Sequence, residues 1–184
     1  MKRMKAGVYL KRVILLALGC VMGFEAWAMS PAAVSEYELK AAYLYNFALF
    51  TTWPQDRMEE KDAPLVFCVF AQDEQAASIA GLQTRKIRDR GILVRQIEMP
   101  EDGRGCHVLF FGAKSTEAIP GILEIVRDTG TLTVTDVPDP IRKEAVISMT
   151  IENGRLAFDV NLLNARSARL ILSSKLLKLA RTAN

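Results

Sequence analysis

Histidine is nearly absent from this 184-residue chain: His107 is the only one, and the three cysteines, Cys20, Cys68 and Cys106, form no Cys-x-x-Cys pair. A zinc centre would therefore lack ligands, and the usual dithiol redox motif is missing. No nucleophile stands at a recognised spacing from a base. Ser173-Ser174-Lys175 is not a Ser-x-x-Lys motif and falls in a helical stretch. Gly112-Ala113-Lys114-Ser115-Thr116 follows a strand pattern, but an alanine separates glycine from lysine and no glycine stands five residues before Gly112. An ordinary strand-to-helix turn explains it better than a phosphate loop. His107 has no orienting partner marked in the sequence and reads as a partly buried structural histidine. Asp136, Asp139 and Glu144 gather around Pro138 and Pro140, as residues of a solvated loop do. The expectation is a protein that is not an enzyme, with no catalytic residue, cofactor or metal. Repeats, low-complexity tracts and interdomain linkers are also missing, which leaves one domain.

Long hydrophobic runs are scarce too. The one near the start, Val13 to Phe24, is preceded by Lys2, Arg3, Lys5, Lys11 and Arg12 and followed by Ala26-Trp27-Ala28. Basic flank, short apolar run and small residues at two spaced positions are the pattern of a secretory leader, with the cut expected between Ala28 and Met29. The run falls short of the roughly 20 apolar residues of a spanning helix. An uncleaved anchor is one alternative. A lipidated Cys20 is another, although Ala17 stands where a lipidation site usually has Leu. No later segment is long and apolar enough to cross a bilayer. Removing residues 1–28 takes away five basic residues and one acidic residue, so the formal charge moves from +3 to −1. A near-neutral remainder, residues 29–184, with no dense Lys/Arg cluster argues against nucleic acid as a partner. Its length is enough for one core.

Only Cys68 and Cys106 stay with the exported part. In an oxidising compartment two such cysteines are expected to be bonded. The bond would close a loop of about 38 residues, worth about 3–4 kcal/mol in the chain-entropy model. A redox switch or a metal pair is the functional alternative, without a supporting motif.

Helix and strand patterns alternate along the chain. Ser35 is placed to cap a helix over 36–52, with Glu36 and Glu38 in its first turn and Pro54 behind it. Residues 64–70 form a continuous apolar run, the mark of a strand buried on both faces. Further strands are expected over 92–97, 107–111 and 131–136, and helices over 73–82 and 116–126. Asn153-Gly154 between 145–151 and 155–160 predicts a tight antiparallel hairpin. A long helix from about 162 to 180 closes the chain. The fold class that follows is α/β: a three-layer sandwich with a mainly parallel sheet, a C-terminal hairpin and a long C-terminal helix.

Two helices carry more apolar residues than one face needs. Over 39–50 only Lys40 and Asn46 are strongly polar. Such a helix is either buried on nearly all sides or docked onto something outside the domain. Tyr45 and Trp53 are the natural anchors for docking, since aromatics concentrate interface energy, and burial in the core is the alternative for both. The last helix carries Arg166, Arg169, Lys175, Lys178 and Arg181 around an apolar face; cations near a helix C-terminus also suit its dipole. Tyr45, Trp53, Arg166 and Arg169 are the candidate partner-binding residues.

Lys40-Ala-Ala-Tyr-Leu-Tyr-Asn-Phe with Trp53-Pro54, Cys106-His107-Val108-Leu109-Phe110, Phe158-Asp159-Val160-Asn161-Leu162 running into Ala165-Arg166, and Ser173-Ser174-Lys175-Leu176-Leu177-Lys178-Leu179-Ala180 appear in that order. Together they resemble the YfiR family over nearly all of residues 29–184. The resemblance implies a periplasmic repressor that engages the periplasmic region of an inner-membrane diguanylate cyclase, YfiN, and restrains cyclic-di-GMP synthesis and biofilm output. It also implies an outer-membrane protein of the YfiB kind that sequesters the repressor, and a cysteine pair bonded at the positions of Cys68 and Cys106. Ile141-Arg142-Lys143-Glu144-Ala145 replaces the Gly-Gly step common in that family, and the second cysteine pair of some members is missing. The expected assembly is a homodimer. A periplasmic sensor that binds a small molecule is the alternative function, and a hydrolase a more distant one.

Overall fold

Ser35 starts the first helix, α1 (Glu36–Leu49), through a reciprocal cap. Its hydroxyl accepts from the Glu38 N–H at 3.1 Å, while the Glu38 carboxylate accepts from the Ser35 N–H at 3.0 Å. The computed structural model that shows this describes residues 35–184 apart from 59, 61 and 113–115. The leader expected over 1–28, with Cys20 inside it, and the Ala113-Lys114-Ser115 step lie outside the described residues.

After α1 come β1 (Thr51–Thr52), β2 (Leu65–Phe70), α2 (Asp73–Ala80), β3 (Lys86–Ile87), β4 (Arg90–Gln96), β5 (Val108–Phe111), α3 (Ile119–Val126) and β6 (Leu132–Thr135). There follow α4 (Ile141–Glu144), β7 (Ile147–Glu152), β8 (Arg155–Val160), α5 (Leu162–Ser167), β9 (Ile171–Leu172), α6 (Ser174–Leu177) and β10 (Thr182–Ala183). Eight strands form one sheet in the order β10-β8-β7-β6-β5-β2-β4-β3, parallel from β4 through β7. The β7–β8 hairpin is antiparallel and turns at Asn153 (φ 50°) and Gly154 (φ 72°), the left-handed pair that a two-residue turn of this kind requires.

Period-two alternation sends side chains of the central strands to opposite faces. On one face Phe67, Val69, Val108, Phe110, Leu132 and Val134 pack against α1, α2 and the C-terminal segment. On the other, Cys68, Phe70, Leu109 and Phe111 pack against Ile119, Ile122 and Val126 of α3 and Ile141 of α4. The result is the expected α/β arrangement, a mostly parallel sheet covered on both sides. Helix α1 answers the question its sequence raised: Ala41, Leu44, Phe47 and Ala48 are buried, and Tyr43 meets Phe47 and Phe158 edge-on at 5.9 and 6.2 Å.

The long C-terminal helix does not form. Helix α5 stops at Ala168, Arg169 turns left-handed (φ 54°), and the chain runs into β9, which pairs antiparallel with β1. Ser173 then caps the one-turn α6, its hydroxyl accepting from the Leu176 N–H. The buried residues Ala168, Leu170 and Leu172 are spaced by two, the period of a strand. A backbone partner is at hand, since Ser173 N–H donates to the Phe50 carbonyl at 3.0 Å. Tertiary pairing overrides the helix propensity of this leucine-rich stretch.

Candidate functional site

From β2 the chain steps outward to β4 and then returns to β5 on the other side of β2. In open α/β sheets the crevice beyond the carboxyl ends of two such strands is the usual ligand position. Here that end carries Gly112 after β5 and Asp136 after β6. Its polar side chains bind one another. Lys40 of α1 donates to Asp136 Oδ2 at 2.6 Å and reaches Glu36 at 2.5 Å. Gln75 of α2 donates to the same Asp136 oxygen at 2.7 Å. Lys40 and Gln75 are buried, and Asp136 Oδ1 is buried without a hydrogen-bond partner. Gln75 also fills the space above Gly112: a Cβ there would stand 2.1 Å from Gln75 Oε1 and 2.8 Å from Ala71 Cβ. Burial works to lower the Lys40 pKa, and the bonds to Asp136 and Glu36 outweigh it, so the ammonium titrates above its ordinary value.

Asp136, expected in a solvated loop, is instead held inside this cluster with only 11% of its side chain exposed. The available signal was Lys40, a lone cation in an apolar helix, which needs a buried counter-ion.

At the opposite edge of the parallel strands His107 is buried. The Val66 N–H donates to its Nδ1 at 3.0 Å, so Nε2 carries the proton and donates to the Arg57 carbonyl at 3.1 Å. Burial pushes its pKa below the ordinary histidine value. With both ring nitrogens bound to backbone, the imidazole holds the loop around Arg57 against β2, in keeping with a structural histidine.

Cys68 and Cys106 form the disulfide, with Cα atoms 5.8 Å apart and both residues fully buried. Arg95 lies over it, 3.5 and 3.6 Å from the two sulfurs. The same guanidinium nitrogen donates to the Asp102 and Arg104 carbonyls at 2.9 Å.

The four residues expected at a partner surface differ in exposure. Trp53 is a correction: it is 6% exposed, donates to the His107 carbonyl at 3.0 Å and belongs to the core. Tyr45 is half-buried; its hydroxyl donates to the Lys86 carbonyl at 2.8 Å, and the Arg85 guanidinium sits 5.4 Å from the ring centre. Arg166 and Arg169 are exposed, the latter paired with Asp56 at 2.9 Å.

Among the described residues no group of three or more His, Cys, Asp or Glu could hold a metal ion. No described helix is long and apolar enough to cross a membrane.

Comparison with known proteins agrees with this architecture. A conserved domain protein of Vibrio cholerae O1 biovar El Tor strain N16961 has a similar crystal structure, with a TM-score of 0.52 at 10% identity. The likeness covers 82% of this chain and 60% of the other, and at this identity it speaks for the fold alone. No curated protein matches the sequence. The profile of the YfiR/HmsC-like family matches residues 37–181, from the first turn of α1 to the residue before β10. The chain is a member of the YfiR/HmsC-like family.

Proposed function

We propose that this protein is exported, cleaved after Ala28, and represses an inner-membrane diguanylate cyclase by binding its periplasmic region. The observation that carries the reading is the family match across residues 37–181. The geometry supports it: the groups best suited to chemistry are engaged in structural bonds, His107 by two backbone partners and Lys40 by two carboxylates. Repression of this kind is a population shift. The repressor binds the inactive form of the cyclase more tightly than the active one and lowers cyclic-di-GMP output without chemistry of its own. Tyr45 and Arg169 offer reachable groups for the contact. A homodimer and sequestration by an outer-membrane partner of the YfiB kind complete the circuit. The test is capture from membrane extracts of the native host: the exported protein retains a diguanylate cyclase if the reading holds and none if it does not.

A further inference from the structure

Residues 160–184 contain five cations and no Asp or Glu, whereas residues 29–159 carry a formal charge of −6. Within that basic tail Ala165, Ala168, Leu170, Leu172 and Leu176 are buried in the core beneath α1. On the same segment Leu163, Ile171 and Leu179 face away from that core, at 68%, 69% and 71% exposure the most exposed large apolar side chains among the described residues. Arg166, Lys175 and Lys178 are exposed beside them. Arg169 and Arg181 are held by Asp56, Glu152 and Asp159, while Arg166, Lys175 and Lys178 have no carboxylate partner among the described residues.

We propose that this outer side of the C-terminal segment rests on an anionic lipid surface. Unpaired cations interleaved with single aliphatic side chains, on a layer whose other side is anchored in the core, suit the headgroup boundary: charge meets lipid phosphate and the aliphatics enter the acyl edge. A protein partner would be expected to engage aromatic anchors seated in a pocket, and none of the six outward residues is aromatic. Three cations and three aliphatics give weak, reversible attachment. That suffices to concentrate the protein at a membrane where a second contact, such as the proposed cyclase, completes the binding. The lipid contact itself does not depend on that cyclase reading.

The test is flotation of the purified exported protein with vesicles of phosphatidylcholine alone or with one-third phosphatidylglycerol, at low and high salt. The proposal expects co-flotation with the anionic vesicles only, falling as salt rises. The triple variant Arg166→Gln, Lys175→Gln, Lys178→Gln, folded by circular dichroism, should bind weaker on the order of 100-fold, at roughly fivefold per cation. Leu163→Ser with Leu179→Ser should also weaken binding while leaving the charge unchanged. Absence of flotation at low salt, or equal flotation of the triple variant, overturns the proposal. A concentration-dependent dimer abolished by the triple variant, without vesicle binding, overturns it too and gives the surface to a second copy.

Discussion

Lys40 Nζ lies 2.6 Å from Asp136 Oδ2 across 96 residues of sequence, joining the first helix to the carboxyl end of strand β6. Both side chains are about nine-tenths buried, at 9% and 11% exposure. A buried pair of this kind adds little over an apolar replacement, but breaking it strands a charge. Lys40→Ala is therefore expected to cost about 3 kcal/mol or more in urea unfolding. The double variant Lys40→Met with Asp136→Asn leaves Gln75 an acceptor and no buried charge uncompensated, since Glu36 is half exposed, and should recover part of that loss. Equal stability of the single variant and the parent would contradict the assignment.

His107 supplies a pH dependence whose sign follows from its lowered pKa. The folded state holds the imidazole neutral, so the unfolded chain binds the proton first. Stability from this residue is present above the unfolded pKa of about 6.5 and declines as pH falls toward the lowered folded value. Unfolding free energy measured at steps from neutral to mildly acidic pH should drop, and His107→Gln should flatten that drop. An unchanged slope in the variant would assign the acid sensitivity to carboxylates instead.

Replacing both members of the disulfide, Cys68→Ala with Cys106→Ala, should cost about 3–4 kcal/mol by the chain-entropy argument. Because both residues are fully buried, reduction of the parent should require prior unfolding. Thiol labelling in native buffer with a mild reductant should give no product, and labelling after denaturation should give two adducts. Rapid labelling of the folded protein would contradict the burial.

Trp53→Ala should unfold or strongly destabilise the protein, by about 3–5 kcal/mol, because it empties a core position and removes one of the two donors to the His107 carbonyl, the other being the Leu132 N–H. The measurement is thermal unfolding followed by circular dichroism. A stable, fully folded Trp53→Ala variant that had lost only partner binding would return Trp53 to the interface.

Much of this fold is legible in local pattern. Continuous apolar runs mark β2 and β5 because those strands are buried on both faces, and Asn153-Gly154 marks the hairpin because its backbone needs two positive φ angles. Ser35 and Glu38 mark the start of α1 for an equally local reason. The C-terminal region resists such reading. Leu162 to Ala180 is rich in helix formers, and only the nearby edge of β1 converts its middle into a strand. The Lys40, Gln75 and Asp136 cluster is hidden for the same reason, since three distant segments meet only once the parallel sheet is built. Trp53 illustrates the remaining ambiguity: an aromatic beside a proline serves a core and an interface equally well, and only its bond to the His107 carbonyl decides.

Cellular cyclic-di-GMP in the native host, with the gene deleted and then restored, tests the central claim most directly. The account predicts a rise on deletion that is reversed by the restored gene and is not reversed by a version without residues 1–28, which would stay in the cytoplasm. Unchanged cyclic-di-GMP on deletion, with normal expression of the gene in the parent strain, would contradict it.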